Sequence, residues 1–161
     1  MLKFKVLTFN SLKMKKHLFL LLILLVSTNS FAQKGMSKNK KAIVNSIENH
    51  KKNLIEISDN IWEAAEPALL EFKSSSYLSD YAEANGFNVK KGVAGIETAF
   101  TAEYGSGSPI IGIMGEFDAN LGISQKKQPT KDPLKKGAPG HGCGHNLFGT
   151  ASLGAAIAIK E

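Results

Sequence analysis

Arginine is absent from the 161 residues, so all twenty basic side chains are lysine. That removes the planar, bidentate donor best suited to phosphates and guanine edges. Five lysines (Lys3, Lys5, Lys13, Lys15 and Lys16) precede residue 32. The other fifteen face all fourteen acidic residues, so the formal charge of +6 shrinks to about +1 from Gln33 onward. No electrostatic footprint for nucleic acid is left. Cysteine is just as scarce: Cys143 has no disulfide partner within the chain, so folding rests on packing and the sulfur needs another explanation. Long apolar runs are also missing. The longest, Leu18 to Val26, has nine residues, where spanning a bilayer takes roughly 20.

What is present begins with the layout of a secretory signal. Met14-Lys15-Lys16-His17 supplies positive charge, Leu18 to Val26 the apolar stretch, and Ser30-Phe31-Ala32 a small-residue cleavage site before Gln33. Residues 1–32 are therefore expected to be a signal peptide with cleavage after Ala32. Met14 is a candidate initiator, because Met14 to Ala32 is a complete signal alone. Export to the periplasm or secretion follows, with no stable membrane anchor after cleavage. No cysteine follows the apolar run closely enough for a lipid anchor. Residues 33–41 are polar and without periodicity, a short tether.

From Lys41 to about Glu66, Ile43, Val44, Ile47, Leu54, Ile57, Ile61 and Trp62 recur at three- and four-residue steps, the stripe of a long helix interrupted by Ser58 and ended near Pro67. Trp62, Leu69, Leu70 and Phe72 read as core. A second helix spans Ser74 to Asn85, with Gly86 at the position of a C-terminal cap. Three strand-like runs follow: Phe87 to Lys90, Thr98 to Tyr104 and Pro109 to Met114. Gly105 to Ser108 predicts a hairpin between the last two. Because Ile110, Ile111, Ile113 and Met114 do not alternate with polar residues, that strand is expected to be buried on both faces of a sheet. Leu121 to Pro139 is a lysine-rich surface loop, and Gly149 to Lys160 a helix of small residues able to lie close against a sheet. The order predicts an α/β domain with layered helix, sheet and helix.

His141, Cys143 and His145 alternate with Gly142 and Gly144. An extended backbone would aim the three side chains to one side while the glycines let it bend around an ion. A thiolate and neutral imidazoles are ligands for zinc and similar ions, and a helix start just beyond favours the thiolate. Two or three such groups fall short of a full tetrahedral set, so other ligands must lie elsewhere. Glu116 and Asp118, spaced by two at the end of the apolar run, fall on one face at a position where α/β proteins often place working carboxylates.

Gly115-Glu116-Phe117-Asp118-Ala119 followed by Gly137-Ala138-Pro139-Gly140-His141-Gly142-Cys143-Gly144-His145-Asn146-Leu147-Phe148-Gly149-Thr150 resembles the metal-dependent amidohydrolases of the aminoacylase and carboxypeptidase-like peptidase superfamily. The closest branch is the p-aminobenzoyl-glutamate utilisation type. The resemblance extends over Ile61 to Glu161, with the cysteine motif as its specific part. It implies that residues 42–161 are the N-terminal part of a zinc-peptidase-like catalytic domain, with Cys143 and His145 as metal ligands and Asp118 as the aspartate supporting catalysis. Glu116 matches a position held by a metal-binding histidine in other branches, and His141 is supporting or structural. The cofactor implied is a divalent metal, zinc first with manganese or cobalt as alternatives, and two ions in a complete enzyme. A small-molecule amide substrate and a homodimeric full-length protein are also implied. Two departures stand out. Asp118-Ala119-Asn120-Leu121 replaces the Asp-Ala-Leu-Pro common in the branch, and the family's paired-glutamate motif with its general base, its further ligands and its dimerisation domain would come after Glu161. The chain alone is therefore expected to be inactive.

Two rival readings follow from the same residues. Cys143 could be a nucleophile activated by His141 or His145, as in thiol hydrolases. The chain could also be a small exported metal-binding module without catalysis.

Overall fold

A stripe of apolar residues at helical spacing organises the first element. The computed structural model describes residues 35–161, so the signal peptide and the first part of the tether lie outside the described residues. Helix α1 spans Lys38–Ala64 and begins three residues before the expected Lys41. It buries Ser46, Ile57, Ser58 and Ile61 on one face, whereas Ile43 and Val44 at its free end are exposed. Ala65 turns left-handed at φ 43° and donates back to the Ile61 carbonyl at 3.0 Å, which ends the helix before Pro67.

Helix α2 spans Phe72–Ala84. Its free N-terminal donors are met from outside the helix: the Glu66 carboxylate accepts from Lys73 N at 3.1 Å, Ser74 N at 2.9 Å and the Ser74 hydroxyl at 2.8 Å. The helix closes at Asn85, and Gly86 follows with φ 81°, where the sequence placed the cap. Ser74, Ser75, Leu78, Ser79 and Ala82 form its buried face. The expected core role of Leu69, Leu70 and Phe72 is not met, since all three are exposed where the chain turns between α1 and α2.

Strands β1 (Asn88–Lys91) and β2 (Phe100–Glu103) pair antiparallel, with Val89 opposite Ala102 and Lys91 opposite Phe100. The hairpin therefore forms one strand earlier than Gly105 to Ser108 suggested. Residues 92–99 turn the chain back through a short 3-10 segment, Val93–Gly95, closed by Gly92 N donating to Ala99 O at 2.8 Å.

The expectation for Pro109 to Met114 is overturned. The segment joins no ladder among the described residues, and Ile110, Ile111 and Met114 are 89%, 73% and 71% exposed. Its apolarity demands cover, and the two-stranded sheet has already paired β2 with β1. Only its end is anchored. Met114 O accepts from the Ser152 hydroxyl at 2.7 Å, and the Glu116 carbonyl lies so close to Gly149 that a Cβ there would stand 2.8 Å from it.

Helix α3 spans His145–Lys160, starting four residues before the expected Gly149, and packs along α1 and α2. Ile57 and Ile61 of α1, Leu78 and Ala82 of α2, Phe87, and Leu153 and Ile157 of α3 form the core, with Val89, Phe100 and Phe117 packed against it. The fold is thus three helices with a small antiparallel sheet, a mixed arrangement compatible with the α/β class. No described helix is long and apolar enough to cross a membrane.

Candidate metal centre

The Leu121 to Pro139 segment leaves and returns at one point. Asn120 N donates to Gly140 O at 3.0 Å and Gly140 N to Asn120 O at 2.9 Å, a two-bond antiparallel bridge, with Ser124 N to Ala138 O at 2.9 Å beside it. Gly140 is required there. A Cβ on it would lie 2.6 Å from the Ile123 carbonyl oxygen. The bridge sets the end of the 115–120 segment beside the cysteine motif. On the other side Ala119 N donates to Glu66 O at 2.8 Å, so both neighbours of the segment's end are fixed.

His145, the first residue of α3, sits between two carboxylates. Its Nδ1 is 2.8 Å from Asp118 Oδ1 and its Nε2 is 3.2 Å from Glu116 Oε2. Oxygen and nitrogen atoms of these three residues lie within 4.8 Å of one another. With the ring neutral and its Nδ1 proton given to Asp118, the Nε2 lone pair faces the Glu116 carboxylate. Two acceptors then confront each other and a positive body belongs between them, either a second ring proton or a cation. One imidazole nitrogen and two carboxylate oxygens are a donor set that suits a divalent ion. The carboxylate behind the ring also fixes its tautomer and direction, as it does behind metal-bound histidines.

Of the residues singled out in the sequence, Asp118, Glu116 and His145 come together. Cys143 does not join their group: it is exposed, and its thiol donates to Asn120 Oδ1 at 3.0 Å. Because that bond goes to an amide, neither His141 nor His145 stands as its base, which removes the geometric support for a cysteine nucleophile. His141 is placed differently again. Its Nε2 donates to the Ile61 carbonyl at 3.0 Å, tying the motif to the last turn of α1, and its Nδ1 is buried without a partner. Burial lowers the pKa of this ring below its ordinary 6.5. The bond to Ile61 opposes the shift, His145 nearby lowers the pKa further, and Asp118 raises it. The ring is therefore neutral near pH 7.

Two supporting residues escaped the sequence reading. Asn146 is buried and donates to the Ser58 hydroxyl at 3.1 Å, locking the start of α3 to α1. The polar Ser58 that interrupts the apolar stripe of α1 was the available signal. Asn120, the partner of Cys143, continues the alternation of Glu116 and Asp118, a signal that was also present. Beside the motif, a cleft of about 560 Å³ opens between the end of α1 and the 121–142 segment, lined by Trp62, Ile123, Lys127, Leu134 and His141. Lys127 stands over the Trp62 ring at 4.9 Å and pairs with Asp59 at 3.5 Å, fastening the segment to α1.

No family model matches the chain. Over 129 residues, 78% of this chain, it is 41% identical to a p-aminobenzoyl-glutamate hydrolase subunit of Escherichia coli (strain K12). The match covers 26% of that relative, so the chain spans about a quarter of the relative's length. Identity at this level over most of the chain places it in the p-aminobenzoyl-glutamate hydrolase branch of the amidohydrolase family.

Proposed function

We propose that residues 42–161 supply the first part of the metal centre of an exported, zinc-peptidase-like amidohydrolase. Its substrate is an amide of the aminobenzoyl-glutamate, N-acyl amino acid or dipeptide kind. The observation that carries this reading is His145 gripped by Asp118 at 2.8 Å and Glu116 at 3.2 Å, two residues from Cys143. His145 Nε2, a Glu116 oxygen and the Cys143 sulfur would hold the ion. Zinc is the first choice for thiolate and imidazole, with manganese or cobalt also suited to the carboxylate. One or two such ions, when bound, would supply Lewis-acid polarisation of the amide carbonyl. Asp118 holds the proton on Nδ1 and keeps the other ring nitrogen free to ligate. His141 fastens the motif to α1, so that the ligand residues hang from rigid helices rather than a free loop.

Among the described residues, none besides those gripping His145 is placed to take a proton from an attacking water. The general base therefore comes from elsewhere in a longer protein, and the relative, named as one subunit of its hydrolase, points to a partner chain as well. In that complete enzyme the apolar Pro109 to Met114 segment belongs inside a larger sheet, within a layered catalytic domain. The test is a chimera in which this chain's matching residues replace those of the Escherichia coli relative. Metal-dependent release of p-aminobenzoate by the chimera, lost on His145→Ala, and none from residues 33–161 alone is the expected outcome. A folded chimera without activity, or hydrolysis by residues 33–161 alone, contradicts the proposal.

A further inference from the structure

Residues two apart in an extended backbone point to one side. Glu116, Asp118 and Asn120 form such a row, and the cysteine motif runs opposite in the reverse direction. Glu116 and Asp118 take the ring of His145, and Asn120 takes the thiol of Cys143 at 3.0 Å. The side chain of Asn120 is free to serve this purpose because its backbone is held independently, by the pair of bonds to Gly140 at 2.9 and 3.0 Å.

We infer that Asn120 is a positioning residue that sets where the Cys143 sulfur stands beside His145, and so whether the sulfur joins the ligands of the ion. This rests on the reading of Cys143 and His145 as ligands. A carboxamide suits the task in both states of the sulfur. While the sulfur carries a proton, Oδ1 accepts it, as in the structure. Once the sulfur is a ligand its proton has gone to solvent, and the amide turns about its last bond to offer Nδ2–H instead. The same side chain thus steadies the sulfur before and after binding. Leucine, of similar size, can do neither, and aspartate keeps the acceptor but has no donor to give.

The test is a cobalt(II) titration of the purified chain, wild type beside Asn120→Leu, Asn120→Asp, Cys143→Ser and His145→Ala. Absorption in the near ultraviolet from sulfur-to-cobalt charge transfer reports the thiolate, and competition with a chelator reports affinity. Wild type is expected to show the sulfur band and Cys143→Ser to lose it. Asn120→Leu and Asn120→Asp should weaken the band and lower cobalt affinity about 10-fold, the usual effect of removing a partner of a ligand. Both variants should keep the wild-type melting temperature and far-ultraviolet circular dichroism, since the bonds to Gly140 are backbone bonds. Wild-type band and affinity in both variants would overturn the role of Asn120 while leaving Cys143 a ligand. A wild type that binds cobalt through His145 without a sulfur band would instead remove the cysteine ligand, and the inference with it.

Discussion

Replacing Gly140 by alanine tests how the site is assembled without touching a ligand. The new Cβ would stand 2.6 Å from the Ile123 carbonyl oxygen, and 3.0 Å from the Ile123 carbonyl carbon and from Ser124 Cα. All three are backbone atoms, which cannot step aside as a side-chain tip can. Overpacking of this kind costs about 1–3 kcal/mol. The two bonds between Asn120 and Gly140 are strained with it, at about 0.5–1.5 kcal/mol each if lost. A total of about 2–4 kcal/mol is expected. At roughly 4 °C per kcal/mol for a domain of this size, the melting temperature should fall by about 10 °C. Gly112→Ala is the control, because a Cβ there meets nothing within 4 Å, and it should change stability by less than about 0.5 kcal/mol. Thermal unfolding followed by circular dichroism reads both, and a chelator competition should show zinc affinity falling only in Gly140→Ala. Equal melting of Gly140→Ala and wild type would refute the view that this close approach sets the base of the site.

The core and the exposed apolar segment should respond oppositely. Ile61→Ala, at a fully buried position, should cost about 2–5 kcal/mol in urea unfolding, while Ile110→Thr should stay within about 0.5 kcal/mol. Asp118→Asn removes the partner of His145 Nδ1 and should weaken zinc binding about 10- to 100-fold by chelator competition. The lowered pKa of His141 makes the unfolded chain the stronger proton binder below the ordinary 6.5. Its contribution to stability is thus complete above pH 6.5 and lost as pH falls through it. In metal-free buffer the urea midpoint should drop from pH 7.5 to pH 5.5, and drop less in His141→Gln, whose amide can still donate to Ile61.

The helices were legible because their apolar residues repeat at 3.6, and Ile57 and Ile61, Leu78 and Ala82 are indeed where α1 and α2 meet the core. The start of α3 was hidden by the polar His145 and Asn146, whose partners Asp118 and Ser58 are distant in sequence. Pro109 to Met114 shows the limit of a pattern: continuous apolarity states that a segment needs cover, and the cover must come from other residues. The hairpin was misplaced for a related reason. Gly105 to Ser108 is a turn by composition, but β2 finds its partner in β1, across the longer return through Val93–Gly95. At the site, alternation exposed Glu116 with Asp118 and Cys143 with His145. It could not say that the two rows would face each other, because their register depends on the bridge between Asn120 and Gly140.

Equilibrium dialysis against zinc, followed by metal analysis of the retained protein, addresses the metal centre most directly. Wild type should retain zinc in a fixed ratio to protein, and His145→Ala should retain none while keeping its fold. A folded wild type that retains no divalent ion, or a His145→Ala chain that holds zinc as tightly, would contradict the assignment of this cluster as a metal site.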